Sequence, residues 1–165
     1  MFVIVMGVTG SGKSTIGKLL AERLGLPFHD ADDYHSPENR AKMAADIALD
    51  EADRKPWLAR LAHLAVDWQA AGGAVLACSA LKQAHRDLLL EHVPEHRVVY
   101  LDLPRESAER RLAERRGHHQ FVRDFQRLLD GQYRDLEPPT GALRLASDLP
   151  VEEIVSRAAE YVRGG

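Results

Sequence analysis

A single cysteine, Cys78, stands in 165 residues, so no disulfide can close within the chain, and this cysteine usage fits a reducing compartment. Long apolar runs are missing as well. Nothing approaches the roughly 20 apolar residues of a membrane-spanning helix, and the opening "MFVIVMGV" lacks the basic lead and length of a secretory signal. Positive charge is not in excess: 22 Lys and Arg against 25 Asp and Glu leave a net charge of -3, without the basic footprint of a dedicated nucleic-acid binder. No internal repeat, low-complexity tract or linker interrupts the chain. The expectation is a cytoplasmic, enzyme-sized single domain over residues 1–165, with neither a membrane nor a nucleic acid as partner. Its 45% hydrophobic and 28% charged fractions are ordinary for a globular protein, and the length suffices to bury a core.

What is present is an alternation of strand and helix patterns. "FVIVM", residues 2 to 6, is a continuous apolar run rich in β-branched residues, as a strand buried on both faces requires. "KSTIGKLLAERLG" places Ile16, Leu19, Leu20 and Leu24 on one helical stripe and stops at Gly25. "LPFHD" reads as a second strand, and Trp57, Leu58, Leu61, Leu64 and Trp68 recur at helical spacing. "AVLACS" predicts a strand, "ALKQAHRDLLLEH" a helix and "RVVYLDL" a strand, followed by an arginine-rich helix from about Ser107. "ALRLA" is a weak last strand, and the closing helix starts near Pro150. Residues 44 to 55 and 115 to 142 read as irregular. The alternation predicts an α/β fold, a parallel sheet covered by helices on both faces, with ligands beyond the carboxyl ends of the strands.

One such end carries "GVTGSGKS", residues 7 to 14, which satisfies G-x-x-x-x-G-K-S/T between a predicted strand and a predicted helix. Gly7, Gly10 and Gly12 let the backbone turn tightly, so that N–H groups from Gly7 through Thr15, those of Val8, Thr9 and Ser11 included, cradle phosphate oxygens. The helix N-terminus adds a favourable field for the anion. Lys13 would reach the β- and γ-phosphates of a bound nucleotide, and the Ser14 hydroxyl would ligate Mg²⁺. The loop does not identify the acceptor. GTPases need a base-reading N/T-K-x-D element, which is absent. Motor-type ATPases carry an acidic residue at the end of a hydrophobic strand, where "AVLACS" ends in Cys78 and Ser79. That shifts the weight to small-molecule kinases.

The second candidate site is "HDADDYHSPENRAKM", residues 29 to 43, with three aspartates at the end of the second strand. Close carboxylates repel, so the cluster adds little stability by itself. Asp30 and Asp32, one residue apart, would share a face of an extended segment. The histidines make no metal pair: Pro94 lies between His92 and His96, and His118 and His119 are adjacent.

The motifs together resemble those of the gluconokinases, small P-loop carbohydrate kinases. The resemblance runs from the phosphate loop to about Pro139, through "DADDYHSPENRAKM", "DEADRKPWL", "ACSALKQAHRDLL", "RLAERRGHH" and "LLDGQYRDLEPP". Shikimate kinases share the loop and an Asp-x-Asp after the second strand, but not "CSALK" or "DRKPWL". The resemblance implies a three-layer P-loop kinase fold with strand order 2-3-1-4-5 and a helical lid at about 110–130. It also implies ATP with Mg²⁺, phosphorylation of D-gluconate at O6, and a homodimer. On the residues, it implies Lys13, Asp32 and Arg115 as catalytic, with Arg111 and Arg115 on ATP. Asp30 holds water on the metal beside Ser14. The acceptor falls to Asp32, His35, Lys42, Arg54, Lys82, Arg86 and Gln132, with Arg54 and Arg86 suited to grip a carboxylate. Fold analogy puts adenine near Ser147 to Pro150. Trp57 reads as core packing. The chain has Asp46, Ala48, His85 and His119 where related sequences tend to carry Gly, Pro, Tyr and Phe. The alternatives are another small-molecule kinase, such as a shikimate kinase, or a regulatory module that binds ATP without transferring phosphate.

Overall fold

The computed structural model of the chain describes residues 1–45, 47–116 and 122–164, with the backbone alone for 115, 116 and 122–125. Strand β1 (Phe2–Met6) has no exposed residue, because it is central in the sheet and covered on both faces. The remaining strands are β2 (Phe28–Asp30), β3 (Ala74–Ala77), β4 (His96–Asp102) and β5 (Leu143–Ala146), paired in parallel in the order β2-β3-β1-β4-β5. This is the order the resemblance implied. Side chains of β1 alternate between the faces, as period-two geometry demands. Phe2, Ile4 and Met6 join Trp57, Leu58, Leu61 and Leu89 on one side, while Val3 and Val5 join Ile16, Leu20, Ile154 and Val155 on the other.

The first side is covered by α3 (Glu51–Ala70) and α4 (Gln83–Leu90), the second by α1 (Lys13–Leu24) and α7 (Val151–Gly164). Helix α2 (Pro37–Ala44) follows a 3₁₀ turn at Ala31–Tyr34. Helices α5 (Arg105–Arg116) and α6 (Val122–Asp135) close a third cluster with Val8 of the phosphate loop, through Leu112 and Leu129. Arg105 ties them by pairing with Asp130 and Gln126. The expected lid falls on these two helices, and residues 117–121 between them, His118 and His119 included, lie outside the described residues.

Several expectations are corrected. Helix α3 starts at Glu51, inside the stretch read as irregular: Asp50 caps it, its side chain accepting from Asp53 N (2.7 Å) while Asp53 accepts from Asp50 N (3.1 Å). Pro56 lies inside that helix, in its second turn, where it has no N–H to give to the carbonyl of Ala52. Helix α6 likewise occupies a stretch read as irregular. On α1 the inward face is Ile16, Gly17, Leu20 and Ala21, and Leu19 is exposed. A Cβ on Gly17 would sit 2.6 Å from the Phe28 ring, so the missing side chain is what lets α1 lie close to β2.

Candidate active site

The carboxyl ends of the strands form one rim. The loop after β1 turns into α1 through Gly12, whose φ of 95° favours glycine. Gly7 is required sterically, since a Cβ there would meet Leu101 O at 2.8 Å. Lys13 Nζ donates to Val8 O at 3.0 Å, arching over the loop. Arg111 of α5 braces the same loop from outside, donating to Gly10 O (2.9 Å), Ser147 Oγ (2.8 Å) and Ser147 O (2.9 Å). Ser147, just past β5, donates in turn to Ser11 O at 2.6 Å. Arg111 and the Ser147 segment, both expected on the nucleotide side, therefore meet at the phosphate loop. Thr15 is exposed in the first turn of α1. The side chain of Arg115 lies outside the described residues.

Gln132 was expected on the acceptor. Its amide instead faces the phosphate loop, accepting from Thr9 N at 2.6 Å and donating to Thr9 Oγ1 at 2.7 Å.

Asp30 ends β2 and joins the two halves of the rim. Its Oδ2 accepts from the Ser14 hydroxyl at 2.7 Å, and its Oδ1 accepts from Asp32 N at 3.0 Å, capping the 3₁₀ turn. A hydroxyl and a carboxylate at this distance beside a phosphate cradle are the hard oxygen donors that suit Mg²⁺, so Ser14 and Asp30 fit the role given them. Asp32 projects from the turn with its side chain 83% exposed, open to an acceptor. Partial desolvation among the surrounding groups raises its proton affinity from the ordinary value. The Asp30 carboxylate adds to that rise, and Lys13 and His35 oppose it. A carboxylate held in this way is a better proton acceptor than a freely solvated one.

His35 lies behind Asp32. Its side chain is buried, stacked on Trp57 with ring centroids 4.2 Å apart, and its Nε2 is 3.9 Å from Asp32 Oδ1. Burial lowers its proton affinity, against the pull of Asp32. Trp57 packs in the core, as expected, and its Nε1 also donates to Ala31 O at 2.8 Å, pinning the turn that carries Asp32. Asn39, which the sequence did not single out, donates to Asp53 O at 3.0 Å and lies 3.4 Å from His35 Nδ1. It holds the histidine against α3.

The cations expected on the acceptor separate into three groups. Lys42 holds both oxygens of Asp53 at 2.8 Å. Arg54 and Lys82 meet on Glu51 Oε1 at 3.2 and 3.1 Å. Arg86 corrects the expectation of a carboxylate grip. It is 2% exposed, and its guanidinium donates to Ala80 O, Leu81 O, Gln83 Oε1 and Glu137 O at 2.7 to 2.9 Å. Nor does it act together with Lys82, whose ammonium goes to Glu51 while the Arg86 guanidinium turns to those carbonyls. Arg86 shapes the turn after β3, where Ala80 adopts φ 40°, a conformation uncommon outside glycine. A donor fork turned inward onto carbonyls has no signature in residue type alone. Glu51 went unnoticed because its segment read as loop.

The chain is similar to known proteins in both sequence and fold. Residues 9–135 match the shikimate kinase family profile. A probable gluconokinase of Xenopus tropicalis is 39% identical, over 99% of this chain and 92% of its own length. A thermoresistant gluconokinase of Escherichia coli K12 is 36% identical over 98% and 93%. The crystal structure of a gluconokinase from Sinorhizobium meliloti 1021 superimposes with a TM-score of 0.86 at 35% identity, covering 99% of this chain and 91% of that one. With the phosphate loop, the Asp30–Asp32 turn and near full-length similarity on both sequence and structure, the chain belongs to the gluconokinase family.

Proposed function

We propose that this chain is an ATP-dependent gluconokinase, converting ATP and D-gluconate to ADP and 6-phospho-D-gluconate. The observation that carries the reading is the Asp30 carboxylate shared between Ser14 and Asp32 N. It sets an open carboxylate of raised proton affinity beside a phosphate cradle, as transfer to a hydroxyl requires. Phosphoryl transfer asks a protein mainly for positioning and charge neutralisation. In the proposed step the O6 hydroxyl of gluconate attacks the γ-phosphorus, the O6–P bond forms and the bond to the β-phosphate oxygen breaks. Asp32 accepts the hydroxyl proton, and ADP leaves. Lys13 and the loop N–H groups neutralise phosphate charge, joined by Arg111 and Arg115 when the lid closes. Ser14 and, through water, Asp30 would hold the Mg²⁺ that comes with ATP, which would supply further charge neutralisation. Arg54 and Lys82 take the carboxylate end of the acceptor, with Lys42 on its hydroxyls, while His35, buried behind Asp32, backs that aspartate instead of meeting the acceptor as expected. The reading includes one kinase domain, a homodimer and a cytoplasmic setting. No helix among the described residues is long and apolar enough to cross a membrane.

The match to the shikimate kinase profile keeps shikimate as the second acceptor to be tried. A coupled assay of ADP release across gluconate, shikimate, glycerate and nucleoside monophosphates tests the proposal. Gluconate is expected to raise turnover well above the others. If no acceptor lifts ADP release over the background with ATP alone, the kinase reading is lost, and a preference for shikimate would transfer the chain to the second reading.

A further inference from the structure

The donors around Glu51 are arranged in an unusual way for a surface ion pair. Arg54 Nη1 and Lys82 Nζ both donate to Oε1, at 3.2 and 3.1 Å, and His85 Nε2 lies 3.1 Å from Oε2. Three cationic or polar donors, from α3, from α4 and from the residue that caps α4, thus converge on one carboxylate. The donors are set into the wall, with side chains 29%, 32% and 11% exposed for Arg54, Lys82 and His85, whereas Glu51 lies over them at 58%. The cradle is built by the fold, and the group filling it belongs to the first residue of α3, able to swing aside by rotation of its own side chain. Arg54 also lies 3.9 Å from Asp135. The residue before it, Asp53, accepts through its carbonyl from Asn39, which lies against His35, and His35 borders Asp32. The cradle is therefore on the acceptor side of the rim.

We infer that Glu51 is an internal competitor for the carboxylate of the acceptor: it sits on the donors a sugar acid needs and must leave them when that acid binds. The inference rests on the proposed gluconate reading and adds a residue that sets affinity for charged acceptors. The Glu51 carboxylate is held ionised, its pKa pulled down to about 2 by His85 and Lys82, so it competes as an anion at any working pH. A site open for only part of the time shows an affinity reduced by that fraction. Removing the internal carboxylate should raise the affinity for an acid and do little for an uncharged polyol of the same length.

The test compares wild type with Glu51→Gln, measuring KM for gluconate, KM for ATP and the competitive inhibition constant of sorbitol. The expected result is a gluconate KM lower by roughly threefold or more, with the ATP value holding and sorbitol gaining less than gluconate. A gluconate KM that is unchanged or raised overturns the inference and makes Glu51 part of the structural frame. An equal gain for sorbitol overturns it too, since that reports a wider cleft instead of a vacated anion site. Thermal melting checks folding, and if Glu51→Gln does not fold, Glu51→Asp, with a shorter reach, should shift KM in the same direction. A wild-type chain that turns over no gluconate removes both the proposed function and this inference. A wild-type gluconate kinase without the Glu51 effect removes the inference alone.

Discussion

Asp32 and Arg86 show how far a residue's role depends on where the backbone turns it. Asp32 leaves a capped turn toward the open rim, held there by the Asp30 carboxylate on its N–H and by Trp57 on the preceding carbonyl. Asp32→Ala is expected to lower kcat by about 10²–10⁴-fold while KM for ATP stays near wild type. Loss of nucleotide binding in that variant would mean that the residue supports the phosphate loop instead. Arg86 has the chemistry of a carboxylate clamp but is turned inward onto three carbonyls and an amide. Arg86→Met should cost about 3 kcal/mol in denaturant unfolding, because buried acceptors lose charged donors. If that variant were as stable as wild type with a raised KM for gluconate, Arg86 would return to the acceptor.

Among the elements, the strands and their ends were the readable part. A central strand such as "FVIVM" is apolar throughout because both faces are covered, and the glycine pattern of the phosphate loop is demanded by its backbone, so each leaves a mark in residue type. Helix α3 was legible only from Trp57 onward. Its first six residues, "EADRKP", are polar and proline-bearing and none is buried in the core, so hydrophobic periodicity does not reach them, and the start is set by the reciprocal Asp50–Asp53 cap. Much the same holds for the acceptor side. The sequence marked its acids and bases, but pairings such as Lys42 with Asp53 or Lys82 with Glu51 join residues on different helices, and only the fold brings them into reach. The cap predicts that Asp50→Ala destabilises the protein by about 1 kcal/mol, seen as an earlier denaturant midpoint with little change in slope.

At the scale of the whole molecule, stability should respond to mild acid. His29, stacked on Trp68 at 4.0 Å, and His35, stacked on Trp57, both have proton affinities lowered by burial from the ordinary value of 6.5. The folded chain therefore binds fewer protons than the unfolded chain in the window below 6.5. Their contribution is fully present above that pH and is lost as pH falls through the lower folded values. Denaturation midpoints should decline between about pH 7 and about pH 5, and His35→Gln should flatten the decline. An undiminished slope in that variant would assign the acid sensitivity to other groups.

Asp30 carries a consequence for communication between substrates. One carboxylate touches Ser14 on the nucleotide side and the Asp32 backbone on the acceptor side. Whatever draws the Ser14 hydroxyl elsewhere must alter what Asp30 offers the turn, and whatever shifts the turn is felt at Ser14. Thermodynamic reciprocity then requires that gluconate change nucleotide affinity by the same factor as nucleotide changes gluconate affinity. Two binding titrations, each repeated with the other substrate or an unreactive nucleotide analogue present, should return one and the same number, and Asp30→Asn should bring it toward unity.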